Sequence, residues 1–98
     1  LAQVEIITEQ SSDTGWQFEA QLLDDAGSLH RRTVRLSWAD YNLWSRDGAD
    51  PPEHVAEAVL RFLLDRMPAG EMRERFDAAI ARRLFDDADE VIPALIGR

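Results

Sequence analysis

The stretch DPPEHVAEAVLRFLLDRM, residues 50–67, decides how the rest of the chain must be arranged. Asp50 stands where a helix N-cap belongs. Pro51 and Pro52 fill first-turn positions whose N–H groups would lack a partner anyway, and Glu53 follows Asp50 at the spacing of a capping box. Pro68 and Gly70 close the segment, so the pattern predicts a helix over 51–67. At the helical repeat its apolar side chains, from Val55, Ala56 and Val59 through Leu60, Phe62, Leu63 and Leu64 to Met67, cover an arc of about 200°. Only a stripe of His54, Glu57, Arg61 and Asp65 is left polar. A helix resting on a single sheet needs an apolar arc of roughly half that width. The segment is therefore expected to be a central helix with a covering layer on each side.

Upstream the hydrophobic period is two. Val4 and Ile6 alternate with Glu5, interrupted by Ile7, and Glu9 to Gly15 reads as a connection rich in Ser, Asp, Thr and Gly. Trp16, Phe18, Ala20 and Leu22 then share one face while Gln17, Glu19 and Gln21 share the other; Val34, Leu36 and Trp38 alternate likewise with Thr33, Arg35 and Ser37. A loop of Asp25-Ala26-Gly27, a type I turn followed by a left-handed glycine, pairs Asp24 with Ser28, Phe18 with Val34 and Trp16 with Leu36. It also sets Gln17 opposite Arg35 on the solvated face. A two-residue Ala26-Gly27 turn would instead place Glu19 opposite Val34 and mix the faces. The three-residue loop is the consistent solution.

Ser37, with Asp40 three residues on, has the spacing of an N-cap and starts a short helix. The stripe of Met72, Phe76, Ala79, Ile80 and Leu84 predicts a third helix, the outer layer over the central one. Val91, Ile92, Leu95 and Ile96 predict a fourth, in which Pro93 fits only within the first turn. The expected fold is α+β: a three-stranded antiparallel meander over about 3–8, 16–24 and 29–37, followed by helices over about 38–46, 51–67, 71–85 and 89–96. Residues 1–98 form a single domain on this reading.

Composition narrows the function. The 98 residues include no cysteine, which excludes disulfide scaffolds, thiolate zinc sites and a cysteine nucleophile. No apolar run approaches the ~20 residues of a membrane helix, and no basic segment followed by an apolar one opens the chain, so the expected location is the cytoplasm. Nineteen acids against eleven basic residues, all of them arginine, give a net charge of −8, which opposes a general grip on phosphate backbones.

Chemistry-bearing patterns are sparse. The five glycines (15, 27, 48, 70, 97) each stand alone at an expected boundary and build no phosphate loop. No serine sits in a strand–elbow–helix context, and Ser37 is accounted for as a cap. His54 and Glu57, at i and i+3, offer half a metal site without a second pair of ligands; on the solvated stripe they belong with Arg61 and Asp65 as helix-surface charges. The sequence thus predicts no catalytic residue, no metal and no cofactor. Residues 26–39 contain no acid but hold His30, Arg31, Arg32 and Arg35. Arg31 and Arg35 are expected on the solvated sheet face, where they either neutralise Glu19 across the strands or contact an anion such as nucleic acid.

Trp38, Tyr41 and Trp44 form an aromatic cluster on the first helix, with Tyr41 and Trp44 on one flank and Ala39 and Leu43 on another. Two arrangements are open: Leu43 faces the core, or Tyr41 and Trp44 stay partly exposed and anchor an interface. Three strands followed by a helix beginning PPEHVAEAVLRF resemble, in topology alone, the small β-β-β-α antitoxin and regulatory domains of bacteria. Their motif residues are not present, and no site is carried over. The expected function is a small non-catalytic interaction or regulatory module. It self-associates or docks a protein partner through Tyr41, Trp44 and Trp38 or through an open sheet edge. The alternative is a nucleic-acid-associated regulator using Arg31 and Arg35.

Overall fold

The computed structural model describes residues 2–97. Its order is β1 (Gln3–Ser12), β2 (Gly15–Leu23), β3 (Leu29–Ser37), α1 (Trp38–Trp44), α2 (Pro52–Leu64), a 3-10 turn at Ala69–Glu71, β4 (Arg75–Asp77), α3 (Ile80–Leu84) and α4 (Ala88–Leu95). The α+β class and the antiparallel meander are as expected, and the sheet has a fourth strand, in the order β1-β2-β3-β4. Phe18 lies opposite Val34, Trp16 opposite Leu36 and Gln17 opposite Arg35. Gly27 takes a φ of +86°, and Asp24 N–H donates to the Ser28 carbonyl at 3.0 Å. The three-residue loop sets that register, and with it which side chains face inward.

The first strand is longer than its sequence suggests. Ile7 is the extra residue of a bulge between Ile6 and Thr8, which is why it broke the alternation and why it is 40% exposed. Beyond it, Thr8 to Ser12 continue to pair with β2, and the connection shrinks to Asp13-Thr14. Residues 9–12 are polar because this end of the hairpin is exposed on both faces, not because the chain leaves the sheet. Gly15 closes the turn with a φ of +149°. A Cβ there would lie 2.1 Å from the Leu36 carbonyl oxygen, so the close approach of β2 to β3 requires glycine.

The α2 helix is buried around most of its girth: Val55, Ala56, Val59, Leu60, Phe62 and Leu63 are at most 1% exposed. One side meets β1 and β2, the other α4 and α3. The two-layer cover is therefore present, but α4 supplies most of the outer layer, contrary to the assignment to a helix over 71–85. That helix exists only as Ile80–Leu84. Met72, Phe76 and Ile80 satisfy a helical stripe, yet residues 75–77 pair in parallel with Thr33–Arg35. The edge of β3 offers unpaired backbone groups, and pairing with them outweighs weak local helix preference. The long connection from 38 to 74 makes the parallel arrangement possible.

Three local details also differ. Asp50 does not cap α2: Pro51 holds the N-cap position, and Asp50 Oδ2 accepts from the Ser45 hydroxyl at 2.7 Å. α2 stops at Leu64 rather than Met67, with Asp65 as its C-cap. Pro93 sits in the second turn of α4 rather than the first, so the Asp89 carbonyl loses its helical partner in that short helix.

Replacing Gly15 by alanine is expected to lower the unfolding free energy by more than ~1 kcal/mol. Gly27→Ala, in open space, is expected to cost less. Urea unfolding of both variants checks the order.

Candidate functional site: a sheet open on one face and at both edges

The aromatic cluster resolves toward the core. Trp44 is fully buried and Tyr41 is 7% exposed, whereas Leu43 is 48% exposed. Both expected arrangements are corrected: Leu43 points outward, and Tyr41 and Trp44 present no surface. The reason is chemical. The Tyr41 hydroxyl lies 2.6 Å from the Asp50 carbonyl oxygen and 3.1 Å from that of Gly48, and Trp44 Nε1 donates to Asp89 Oδ1 at 2.9 Å. Two large rings are thus buried with their polar atoms satisfied, which gains more than burying one leucine. Trp38 alone of the three is half exposed, in tilted contact with Trp16 at 4.5 Å between centroids.

Trp44 is also the hub of a polar network. Arg82 donates to Asp40 Oδ1 at 2.9 Å and to Asp89 Oδ1 at 3.0 Å, and lies 5.1 Å from the Trp44 ring centroid. Asp40 is 6% exposed, at the start of α1. Ser37 caps that helix, accepting from Asp40 N–H at 3.1 Å, while the Asp40 carboxylate turns to Arg82. The network ties α1 to α3 and α4. The hydrogen bond from Trp44, with a smaller contribution from Arg82, holds the Asp89 carboxyl below the usual aspartate value. The hydrogen bond from His30, at 3.0 Å, and then that from the Ser28 N–H do the same for Asp24 in the β2–β3 turn. All these groups are committed to one another. They tie α1, α3 and α4 together and fix the β2–β3 turn.

What remains available is the sheet itself. α1 and α2 pack on its inner face, where Phe18, Ala20, Leu22, Val34 and Leu36 are buried, with α3 and α4 beyond α2. Arg31, Thr33 and Arg35 project from the outer face of β3, opposite Gln21, Glu19 and Gln17. Arg31 makes one loose exposed ion pair with Glu19 at 3.9 Å, of little energetic weight. Beside them β4 sets Arg75 next to Thr33 and Asp77 next to Arg35. Arg75 thus joins Arg31 and Arg35 around Thr33. It was missed in the sequence because residues 71–85 were read as a helix; the alternation Arg75-Phe76-Asp77 was its one available signal. Among the described residues, the guanidinium groups of Arg35, Arg73 and Arg75 take part in no hydrogen bond or ion pair.

Among the described residues neither edge strand pairs with a further strand. β1 runs ten residues along one edge, mostly exposed and without proline. At the other edge, Thr33 N–H donates to the Glu74 carbonyl and Ala78 N–H to that of Arg35. By alternation the backbone groups of Arg75 and Asp77 therefore face away from β3. Beneath this edge runs a shallow groove of about 260 Å³ lined by Leu63, Met67, Met72, Phe76, Ile80 and Leu84. His54 and Glu57 stand on the partly exposed stripe of α2, with Glu57 Oε2 3.5 Å from Arg61. Among the described residues no three His, Asp or Glu side chains converge on a common point, and no helix is long and apolar enough to cross a membrane. Comparison with protein-family models, with curated proteins and with solved structures finds no match for this chain.

Because the folded Asp89 value lies below its unfolded one, Asp89 stabilises the protein at pH values above about 4. That contribution is lost as pH falls through the lowered folded value. Asp89→Asn is expected to reduce stability near neutrality and to flatten the acid limb of the stability profile. Urea midpoints measured from about pH 6 down to about pH 2 check this.

Proposed function

We propose that this protein is a non-catalytic interaction module that associates with further copies of itself through its sheet. The observation that carries the reading is β1, a ten-residue edge strand that pairs with another strand on one side only among the described residues. Such an edge presents a row of unpaired N–H and C=O groups, a template for another strand. The bulge at Ile7 divides that row into two short regular segments, which suits a reversible contact rather than unlimited aggregation. Pairing of backbone groups supplies the affinity, and the side chains beside the edge select the partner strand.

Sedimentation equilibrium tests the reading. The weight-average mass is expected to rise above that of one chain in the high micromolar range, and a mass equal to one chain throughout overturns it.

A second reading rests on Arg31, Arg35 and Arg75, which gather on the outer face of an otherwise acidic protein. That face would contact a polyanion through phosphates, without the interleaved aromatic rings that single-strand platforms use. The test is anisotropy of a labelled single-stranded oligonucleotide. Binding at low salt that weakens about tenfold or more in the Arg31→Ala/Arg35→Ala/Arg75→Ala variant supports it. Absence of binding, or binding that the triple variant leaves unchanged, removes it.

A further inference from the structure

The short strand β4 is its own complement. Along its outer face it carries Arg75 and Asp77, a cation and an anion at alternate positions, with Phe76 between them on the inner face beside Val34. From this we propose that two copies join β4 to β4, antiparallel, about a two-fold axis at Phe76, so that one sheet runs through the dimer. The inference rests on the self-association reading above and specifies the border and the register.

Backbone hydrogen bonding limits the registers available. The Glu74 carbonyl and the Ala78 N–H are engaged by β3, so Arg75 and Asp77 are the residues whose N–H and C=O groups point outward. In an antiparallel ladder, outward residues of one copy must lie opposite outward residues of the other. Arg75 opposite Arg75 would meet that condition, as would Asp77 opposite Asp77, but each brings like charges together. Arg75 opposite Asp77 meets it on both sides of the axis and brings unlike charges together on both. Unlike charges directly across strands are stabilising, like ones destabilising. Beyond the strand, Arg73 and Glu74 fall opposite Ala79 and Ala78, so no charge opposes this register.

The two charged groups are not spent within one copy. Among the described residues the Arg75 guanidinium makes no hydrogen bond or ion pair. Asp77 Oδ1 accepts from the Ala79 N–H at 2.9 Å, which holds the carboxylate in place and leaves its second oxygen for the arginine opposite.

The apolar side agrees. In this register Phe76 faces its own copy across the axis in a non-hydrogen-bonded pair, where opposed side chains come closest. Phe76 is only partly buried, and it lines the groove beneath the edge together with Met67, Met72, Ile80 and Leu84. A two-fold axis perpendicular to the sheet keeps both sets of helices on the same side. The two grooves then face each other, and Leu84, 52% exposed in one copy, gains apolar cover. Because the same surface serves both copies, the contact is isologous and closes at the dimer.

Two charge variants test this by sedimentation velocity: Arg75→Glu and Asp77→Arg. The first makes both positions acidic and the second makes both basic, so each variant repels its own kind. The native protein is expected to reach the mass of a dimer in the high micromolar range. Each variant alone is expected to dimerise about tenfold or more weakly. In their equimolar mixture every opposed pair is unlike again, and a one-to-one heterodimer is expected with affinity close to the native one. Circular dichroism melts verify folding; if Asp77→Arg, which loses the contact to Ala79, unfolds the chain, Asp77→Asn keeps that acceptor and takes its place. Native self-association that both variants leave unchanged, or variants that fail to recombine on mixing, overturns the β4 junction and leaves association through β1 standing. A native protein that is monomeric throughout overturns both readings.

Discussion

Every layer of this protein is arranged around the need to keep α2 dry on two opposite sides. Its seven buried residues, Val55, Ala56, Ala58, Val59, Leu60, Phe62 and Leu63, span both sides of the helix. Exposing any one of the larger ones to water would forfeit about 1.5–3 kcal/mol. The sheet can cover one side only. The remaining chain therefore has to return over the other, and it does so through α3 and α4, with Ile92 fully buried. That solution places every helix on one face of the sheet. The opposite face and the two borders are left to solvent as a consequence, and the functional reading follows from where the helices had to go.

Closing that outer layer calls for a clasp, since α3 is five residues and α4 eight, too short to be stable as isolated helices. The clasp is the group Asp40, Arg82, Asp89 and Trp44. Arg82 is 36% exposed and Asp89 45%, measured on their side chains, while Asp40 is nearly buried. The buried carboxylate is thus served by a cation that still touches water, which limits the desolvation penalty a fully interior pair would carry. The nearby Arg66 works in the same manner. It lies 3.8 Å above the Phe62 ring and reaches Asp87 at 2.6 Å, fastening the start of α4 to α2. The energy of the core sits in apolar contact, and these arginines fix which contact is made.

Local pattern carried much of the fold and little of the site, for identifiable reasons. The meander register could be read because one turn choice matched apolar to apolar all along β2 and β3 and the other did not. The central position of α2 could be read because the width of an apolar arc is a property of the helix alone. β4 could not. Phe76 flanked by Arg75 and Asp77 is three residues of alternation inside a stripe that also fits a helix, and the deciding partner, the edge of β3, is some forty positions away in sequence. The orientation of α1 was hidden for a similar reason. Which flank turns inward depends on acceptors for the Trp44 and Tyr41 polar atoms, supplied by Asp89 and the carbonyls of residues 48 and 50. Arg31 and Arg35 were placed on the outer face correctly because register alone determines it; Arg75 needed the strand that pattern concealed.

The exposed borders of the sheet follow from the order of its strands and carry no local sequence motif. Acids and arginines occur in both halves of the chain, and the acid-free stretch 26–39 lies mainly in β3. On folding, the arginine-free β1 and β2 come to one side of the sheet and Arg31 and Arg35 to its middle, while the β4 border mixes Arg73 and Arg75 with Glu74 and Asp77. The lengths of the two edges then bound what such borders can do. β4 is three residues long and β1 is interrupted by its bulge, so a strand added at either border would gain a few hydrogen bonds, each of net value about 1 kcal/mol. Contacts of that size are weak, so the proposed self-association is expected to be reversible rather than to run on into an unending sheet.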